Sequence, residues 1–287
     1  MTAIIRHELR SHFHGIVAYL FMAVTLAFIG IYTSLYCLKA MVVNYEYVLG
    51  AACFIFFIIV PVLTMKVFAE ERKQRTDQLL YSLPLSMTQV VLGKYIALVA
   101  IFTIPMVIVC AYPLILSSFG DIYLPHAFGT ILAYYIMGCA FIAVGMFISS
   151  LTENQAIAAG LCFFVIMLNY FLNTFSNYID TSSRSSFLAL CVCIALLALI
   201  WWLVTKNYFI ALAVGAVLMV ANAALYKVKA TLYEGLVPGF LGKISLFQRF
   251  YTVVDGVFDL TSIIFYFTVI GLFVFLTVQS LEKRRWS

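Results

Sequence analysis

The chain has 287 residues, 65% of them hydrophobic and only 10% charged, with a formal net charge of +5 and a mean hydropathy of +1.08. Soluble domains carry roughly a quarter charged residues, so this composition places the chain in a lipid bilayer and leaves no expectation of a nucleic-acid partner. The seven cysteines (Cys37, Cys53, Cys110, Cys139, Cys162, Cys191 and Cys193) all lie in apolar runs without a C-x-x-C pair, the pattern of small buried side chains rather than of metal or disulfide chemistry.

Residues 1–15 read as an interfacial helix. The histidines of "HELRSHFH" (His7, His12 and His14) lack the H-E-x-x-H spacing of a zinc site, and His12 and His14, two apart, would splay on a helix. The first apolar run is too long for a signal-peptide core and no small-residue cleavage site follows it, so no cleavable leader is expected. A spanning helix needs about 20 mostly apolar residues. Such runs occur at 16–38, 48–66, 95–118, 127–150, 155–175, 187–204, 208–226 and 261–281, with no charged residue between their ends. The spacing predicts an all-α polytopic membrane protein of about eight spans. The pair at 187–226, joined only by "TKN", reads as a hairpin added to a six-span core.

An even span count puts both termini on one side, and the excess of Lys and Arg makes that side cytoplasmic. Arg72, Lys73, Arg75, Lys94 and the "KRRW" tail then lie inside, while Lys39, Arg184, Lys227, Lys229, Lys243 and Arg249 lie outside. Ser86-x-x-Gln89, Thr152-x-x-Gln155 and Ser245-x-x-Gln248 fit the capping box. Pro84 ends a helix, and Pro61, Pro105 and Pro113 should bend the spans that contain them.

Between the second and third spans, "EERKQRTDQ" is polar on every face from Glu70 to Gln78. A charge at mid-bilayer costs about 2.5–3.5 kcal/mol, so the segment must leave the membrane. Val67, Phe68 and Ala69 extend the second span into it, and residues 67–85 form a helical hairpin in the cytosol. The plain reading is a solvated loop; the functional one is a docking surface for a cytoplasmic partner.

This segment, continued through "LLYSLPLSMTQVVLGKY", resembles the cytoplasmic segment of ABC-2-type permeases. "IIRHELRSHFHGIVAYLF" resembles that family's N-terminal interfacial helix, and "SSLTENQAIAAG" resembles its turn between the fourth and fifth spans. The C-terminal stretch from "ISLFQRFYTVVDG" to "EKRRW" is similar to the GldF-like branch. The resemblance implies a single transmembrane domain over 1–287, with the core of a type 2 ABC exporter. It also implies a coupling helix at 67–85, with Glu70, Glu71, Arg72, Lys73, Arg75, Thr76 and Asp77 facing an ATP-binding subunit, and a weaker contact at Thr152, Glu153 and Asn154. Two ATPase subunits carrying ATP and Mg, a second permease chain, membrane lipid and a plasma or inner-membrane location follow from the same resemblance. Charge reversal at Arg72 and Arg75 is the matching expectation for loss of assembly.

No cofactor is expected on this chain. "GLVPGFLGKIS" has Ile244 where a phosphate loop needs Ser or Thr, so ATP hydrolysis belongs to another chain. The most polar residues within spans are Asn169, Asn173 and Asn222, either interhelical hydrogen-bonders or members of a substrate path. In the external region 227–260, apolar residues recur at Phe247, Phe250, Val254 and Phe258 with Arg249 and Asp255 between them. That is an amphipathic helix, where the resembling family places an outer gate. The rival reading is a membrane enzyme. Glu70-Glu71-x-x-x-Arg75 matches the E-E-x-x-x-R of glutamate-type intramembrane proteases, but the one later histidine, His126, lacks the spacing those enzymes need.

Overall fold

The computed structural model describes residues 2–42, 44–75, 86–178, 182–205, 208–229 and 233–285. Every regular element among them is helical. In chain order these are α1 (Thr2–His14), α2 (Ile16–Thr33, continued by a π-helical turn at Ser34–Lys39), α3 (Tyr45–Ala52), α4 (Phe56–Thr64) and α5 (Ala69–Lys73). After the polar segment come α6 (Met87–Val109), α7 (Ala111–Leu116), α8 (Leu124–Leu151), α9 (Gln155–Tyr178), α10 (Ser183–Thr205) and α11 (Tyr208–Val228). The chain closes with α12 (Leu236–Ile244), α13 (Leu246–Val254) and α14 (Leu260–Arg285).

Among the described residues six helical runs are long and apolar enough to cross a membrane: Ile16–Lys39, Tyr45–Lys73, Met87–Leu116, Leu124–Leu151, Gln155–Leu172 and Leu260–Arg284. They correspond to six of the eight expected spans. The other two expected spans coincide with α10 and α11.

Two compact units divide the chain. The first comprises Met1–Leu168 with Arg249–Ser287, and the second Asn169–Gln248. In the first unit α8 forms the centre, with 83% of its apolar stretch buried against α14, α4, α6 and α3. Close crossing is what Gly145 permits: a Cβ there would overlap the Thr64 side chain of α4. Aromatic rings fill the remaining space, with Phe56 at 4.7 Å from Tyr134 and Phe102 stacked on Tyr135 at 5.6 Å. In the second unit α10 and α11 lie side by side, and Phe187 stacks on Tyr226 at 4.6 Å.

Three local expectations change. The third span begins at Met87, not at 95, because Ser86 caps the helix there by accepting from the Gln89 N–H at 3.3 Å. Lys94 is therefore an interior residue of a membrane helix, contrary to the expectation of charge-free spans. At the turn after α8 the side-chain cap comes from Asn154, whose Oδ1 accepts from the Ala156 N–H at 2.9 Å. The Thr152 hydroxyl accepts from the Asn154 N–H instead, at 3.1 Å. The second span does not run unbroken into the polar segment either; it turns at Met65–Phe68 before α5 begins. Pro113 has no N–H for the Val109 carbonyl, and the third span divides beside it, into α6 and α7.

Candidate functional site

Lys94 is only 2% exposed, and a buried ammonium is costly unless paired. Its three donors meet three acceptors: Glu8 Oε1 at 2.6 Å, Glu71 Oε1 at 2.6 Å and the Val67 carbonyl at 3.3 Å. The Phe68 ring lies 5.3 Å from the same nitrogen. One side chain of α6 thus joins α1 to the base of the polar segment.

Gly93 explains how α1 arrives. A Cβ at that position would stand 3.0 Å from Ile4 Cγ2, so the absent side chain lets α1 settle against α6 at Ile4. Glu8 follows Ile4 by four residues, on the same face one turn on, which brings its carboxylate to Lys94.

Ser149 of α8 makes the second fastening. The turn at Met65–Phe68 frees backbone groups that the helix would have paired. The Ser149 hydroxyl accepts from the N–H of Phe68 at 3.2 Å and of Ala69 at 3.3 Å, and donates to the Met65 carbonyl at 3.2 Å. The polar segment therefore starts from a fixed base. Its helix ends at Lys73, and Arg75 takes a left-handed φ of 56°.

Of the residues expected to face a partner, Glu71 is held by Lys94 and Arg72 is 6% exposed. Glu70 is half-buried, while Lys73 and Arg75 are exposed; Thr76 and Asp77 lie outside the described residues. The turn at Thr152, Glu153 and Asn154 stands at the same end of the unit, starting three residues beyond Ser149. Arg284 of the C-terminal helix reaches it, donating to the Leu151 carbonyl at 3.1 Å, a favourable place for a cation at a helix C-terminus. A cavity of about 760 Å³ opens between α1 and the base of the segment, lined by His7, Glu8, His12, Lys66, Glu70 and Lys94 among others.

The remaining expected residues are elsewhere. Asn169 is occupied structurally, its Oδ1 accepting from the Leu246 N–H at 3.0 Å. Asn222 accepts from the Tyr233 hydroxyl at 2.8 Å and donates to Cys191 Sγ at 3.3 Å. The side chain of Asn173 lies outside the described residues. Within 227–260 lie two short helices, α12 and α13. Phe247 packs edge-on to Tyr170 at 5.4 Å, and Phe250 to Tyr134 at 5.7 Å. Arg249 sits 4.0 Å over the Phe265 ring. Asp255 and Phe258 lie beyond the end of α13, with Phe258 against Gly129. The stretch once weighed as a phosphate loop is helical, as α12. His12 and His14 bond through Nδ1 to the carbonyls of Glu8 and Arg10, at 3.0 and 2.8 Å. Glu71 is paired with Lys94, while His126 pairs with Glu46 at the opposite end of the second span, so the carboxylate and histidine of the protease reading do not meet.

The profile of the family described as "ABC-2 family transporter protein" matches residues 6–182, more than half of the chain. The chain belongs to the ABC-2 transporter family. It is thus a membrane component of an ABC transporter, a class that works with ATP-binding partners. The match takes in Glu8, the polar segment, Lys94 and the turn at 152–154, and stops one residue before α10 begins at Ser183. No curated protein matches the chain.

Lys94 is the residue that sequence reasoning missed. Its signal was present in the "GK" of "VVLGKY", where a glycine permits a close helix and the next residue carries a charge.

Proposed function

We propose that this ABC-2 protein is the permease of an ATP-driven exporter of the GldF-like branch, working with two separate ATP-binding subunits and a second permease chain, identical or related. In this reading the protein lies in the plasma or inner membrane with both termini in the cytoplasm, and ATP and Mg reside on the partner subunits. The exposed part of the coupling segment, Lys73 and Arg75 beside Glu70, docks on the ATPase together with Thr76 and Asp77, which follow in sequence, and the Thr152–Asn154 turn adds a smaller contact.

The observation that carries the reading is the Glu8–Lys94–Glu71 cluster. A coupling segment transmits movement only if its base is stiffly joined to the spans it moves. Here Lys94 joins that base to α6 and α1, and Ser149 joins it to α8. Force on the docking surface would be delivered to the interfacial helix and three spans together.

The test is a mild-detergent pull-down of the tagged chain from its native membrane, with mass spectrometry of what stays bound. A stoichiometric P-loop ATPase is the expected result, lost in a Lys73→Glu, Arg75→Glu double variant that retains its thermal midpoint. Isolation of the chain alone under several detergents, or undiminished ATPase binding by the variant, would overturn the assignment. Arg72 is left out of the pair because its burial would confuse docking with folding.

A further inference from the structure

A second polar cluster stands at the other end of the second span. Glu46, in the first turn of α3, is 8% exposed. Its Oε1 lies 3.3 Å from Nδ1 of His126, in the first turn of α8. The opposite ring nitrogen, Nε2, lies 2.9 Å from the Val253 carbonyl near the end of α13. One imidazole therefore bridges the second span, the fourth span and the amphipathic helix.

The chemistry of the two oxygens fixes the proton count. A carbonyl only accepts, so Nε2 must carry a hydrogen. A neutral imidazole then presents a bare lone pair at Nδ1 to the Glu46 carboxylate. Both contacts are attractive only when the pair holds one further proton, either on Nδ1 as an imidazolium facing a carboxylate or on Glu46 as an acid donating to Nδ1. If that proton leaves, the ring must give up one bond. With the hydrogen moved to Nδ1 it keeps Glu46 and repels the Val253 carbonyl; with the hydrogen on Nε2 it keeps Val253 and repels Glu46.

The charged and titratable neighbours among the described residues are engaged elsewhere or exposed. From α3, Tyr45 stacks on Tyr112 of α7 at 6.5 Å. From the π-helical turn, the Cys37 thiol lies within electrostatic reach of Glu46, and Lys39 is exposed. From α13, Tyr251 donates to the Gly50 carbonyl at 3.3 Å and Arg249 lies on Phe265. Asp255 is exposed beyond the helix, and Asp259 accepts from the Thr261 N–H at 2.9 Å.

We propose that Glu46, His126 and the Val253 carbonyl form a proton-binding latch that holds α13 to the second and fourth spans when protonated and releases it when the proton is lost. Proton uptake favours the latched form, so α13 is fastened at low pH and loosened as pH rises. The latch itself rests on geometry. That it faces outward and restrains an exit rests on the permease reading above.

Hydrogen exchange of the full chain in lipid nanodiscs, followed by mass spectrometry and corrected for intrinsic rates, tests the latch without any ATPase. Protection of the peptide containing α13 is expected to fall roughly tenfold from about pH 5 to about pH 8, while peptides of α8 stay constant. Glu46→Gln removes the anion and should abolish that pH dependence. His126→Gln, which keeps an N–H for Val253 but cannot titrate, should abolish it independently. Protection that does not change with pH in the unaltered chain, or a pH dependence that survives both variants, would overturn the proposal. Because no partner is involved, either result stands apart from the pull-down that tests the permease assignment.

Discussion

The helical run from Tyr45 to Lys73 carries a polar cluster at each end, and each fastens a peripheral helix to the transmembrane core. At one end Lys94 binds two carboxylates and a carbonyl, with every ammonium donor filled. At the other, His126 faces a carboxylate and a carbonyl with a ring that fills both contacts only while the pair holds an extra proton. Lysine and glutamate keep their charges across the range in which imidazole titrates. The first joint is therefore permanent and suits the transmission of force, whereas the second is conditional and suits a release. The same geometric task is met by two chemistries with different answers to pH.

The comparison is broken most severely at Lys94. Lys94→Met takes the shared ammonium away from Glu8 and Glu71, and removal of one partner from a buried ion pair costs about 3–5 kcal/mol. Thermal unfolding in detergent should show that loss as a lower midpoint. Replacing all three charges together, Glu8→Leu, Glu71→Leu and Lys94→Met, should restore most of the stability, since apolar substitutes for a whole buried ion cluster are often neutral. If the triple variant melts as early as Lys94→Met, the cluster is not acting as a closed ion group.

Ser149→Ala removes the acceptor for two buried N–H groups and should cost about 1–3 kcal/mol. The effect should be local, read as faster hydrogen exchange at Phe68 and Ala69 than in α8. Next comes the His126 latch, whose roughly tenfold exchange change with pH is the sharpest contrast with the Lys94 joint. Peptides of α1 should show no such response.

The smallest effect concerns the caps. Asn154→Ala should cost about 1 kcal/mol at the start of α9. The Asp259 carboxyl serves as a pH control. Hydrogen bonds from the Thr261 side chain and backbone N–H hold it below the ordinary carboxylate range. A depressed carboxyl stabilises above its unfolded pKa and loses that contribution only as pH falls through its folded one. Asp259 should therefore be silent across the range in which the latch responds. A response of the α14 start in that range would remove the contrast.

Much of the architecture could be read from residue order. Apolar length located, among the eight spans expected, the six runs that are long and apolar enough to cross a membrane. Ser86 and Ser245 were legible as caps because an N-cap is a local bond between near neighbours. Lys94 was not, since hydropathy places a charged residue at the edge of a span and cannot see that carboxylates at positions 8 and 71 converge upon it. The burial of Arg72 was not legible for the same reason. A polar run looks exposed on every side until tertiary contacts bury one of its faces.

By itself, then, the sequence determined that this chain is a helical membrane protein with an N-terminal helix and a polar segment between its second and third spans. Those features follow from transfer free energies and local capping, which depend on a few adjacent residues. Tertiary structure alone decided where the second span breaks, which charges of the polar segment remain free, and that Glu46 and His126 share one site. Each is a pairing over scores of residues in sequence, and the strength of a buried polar contact depends on partners and desolvation that exist only once the helices have packed.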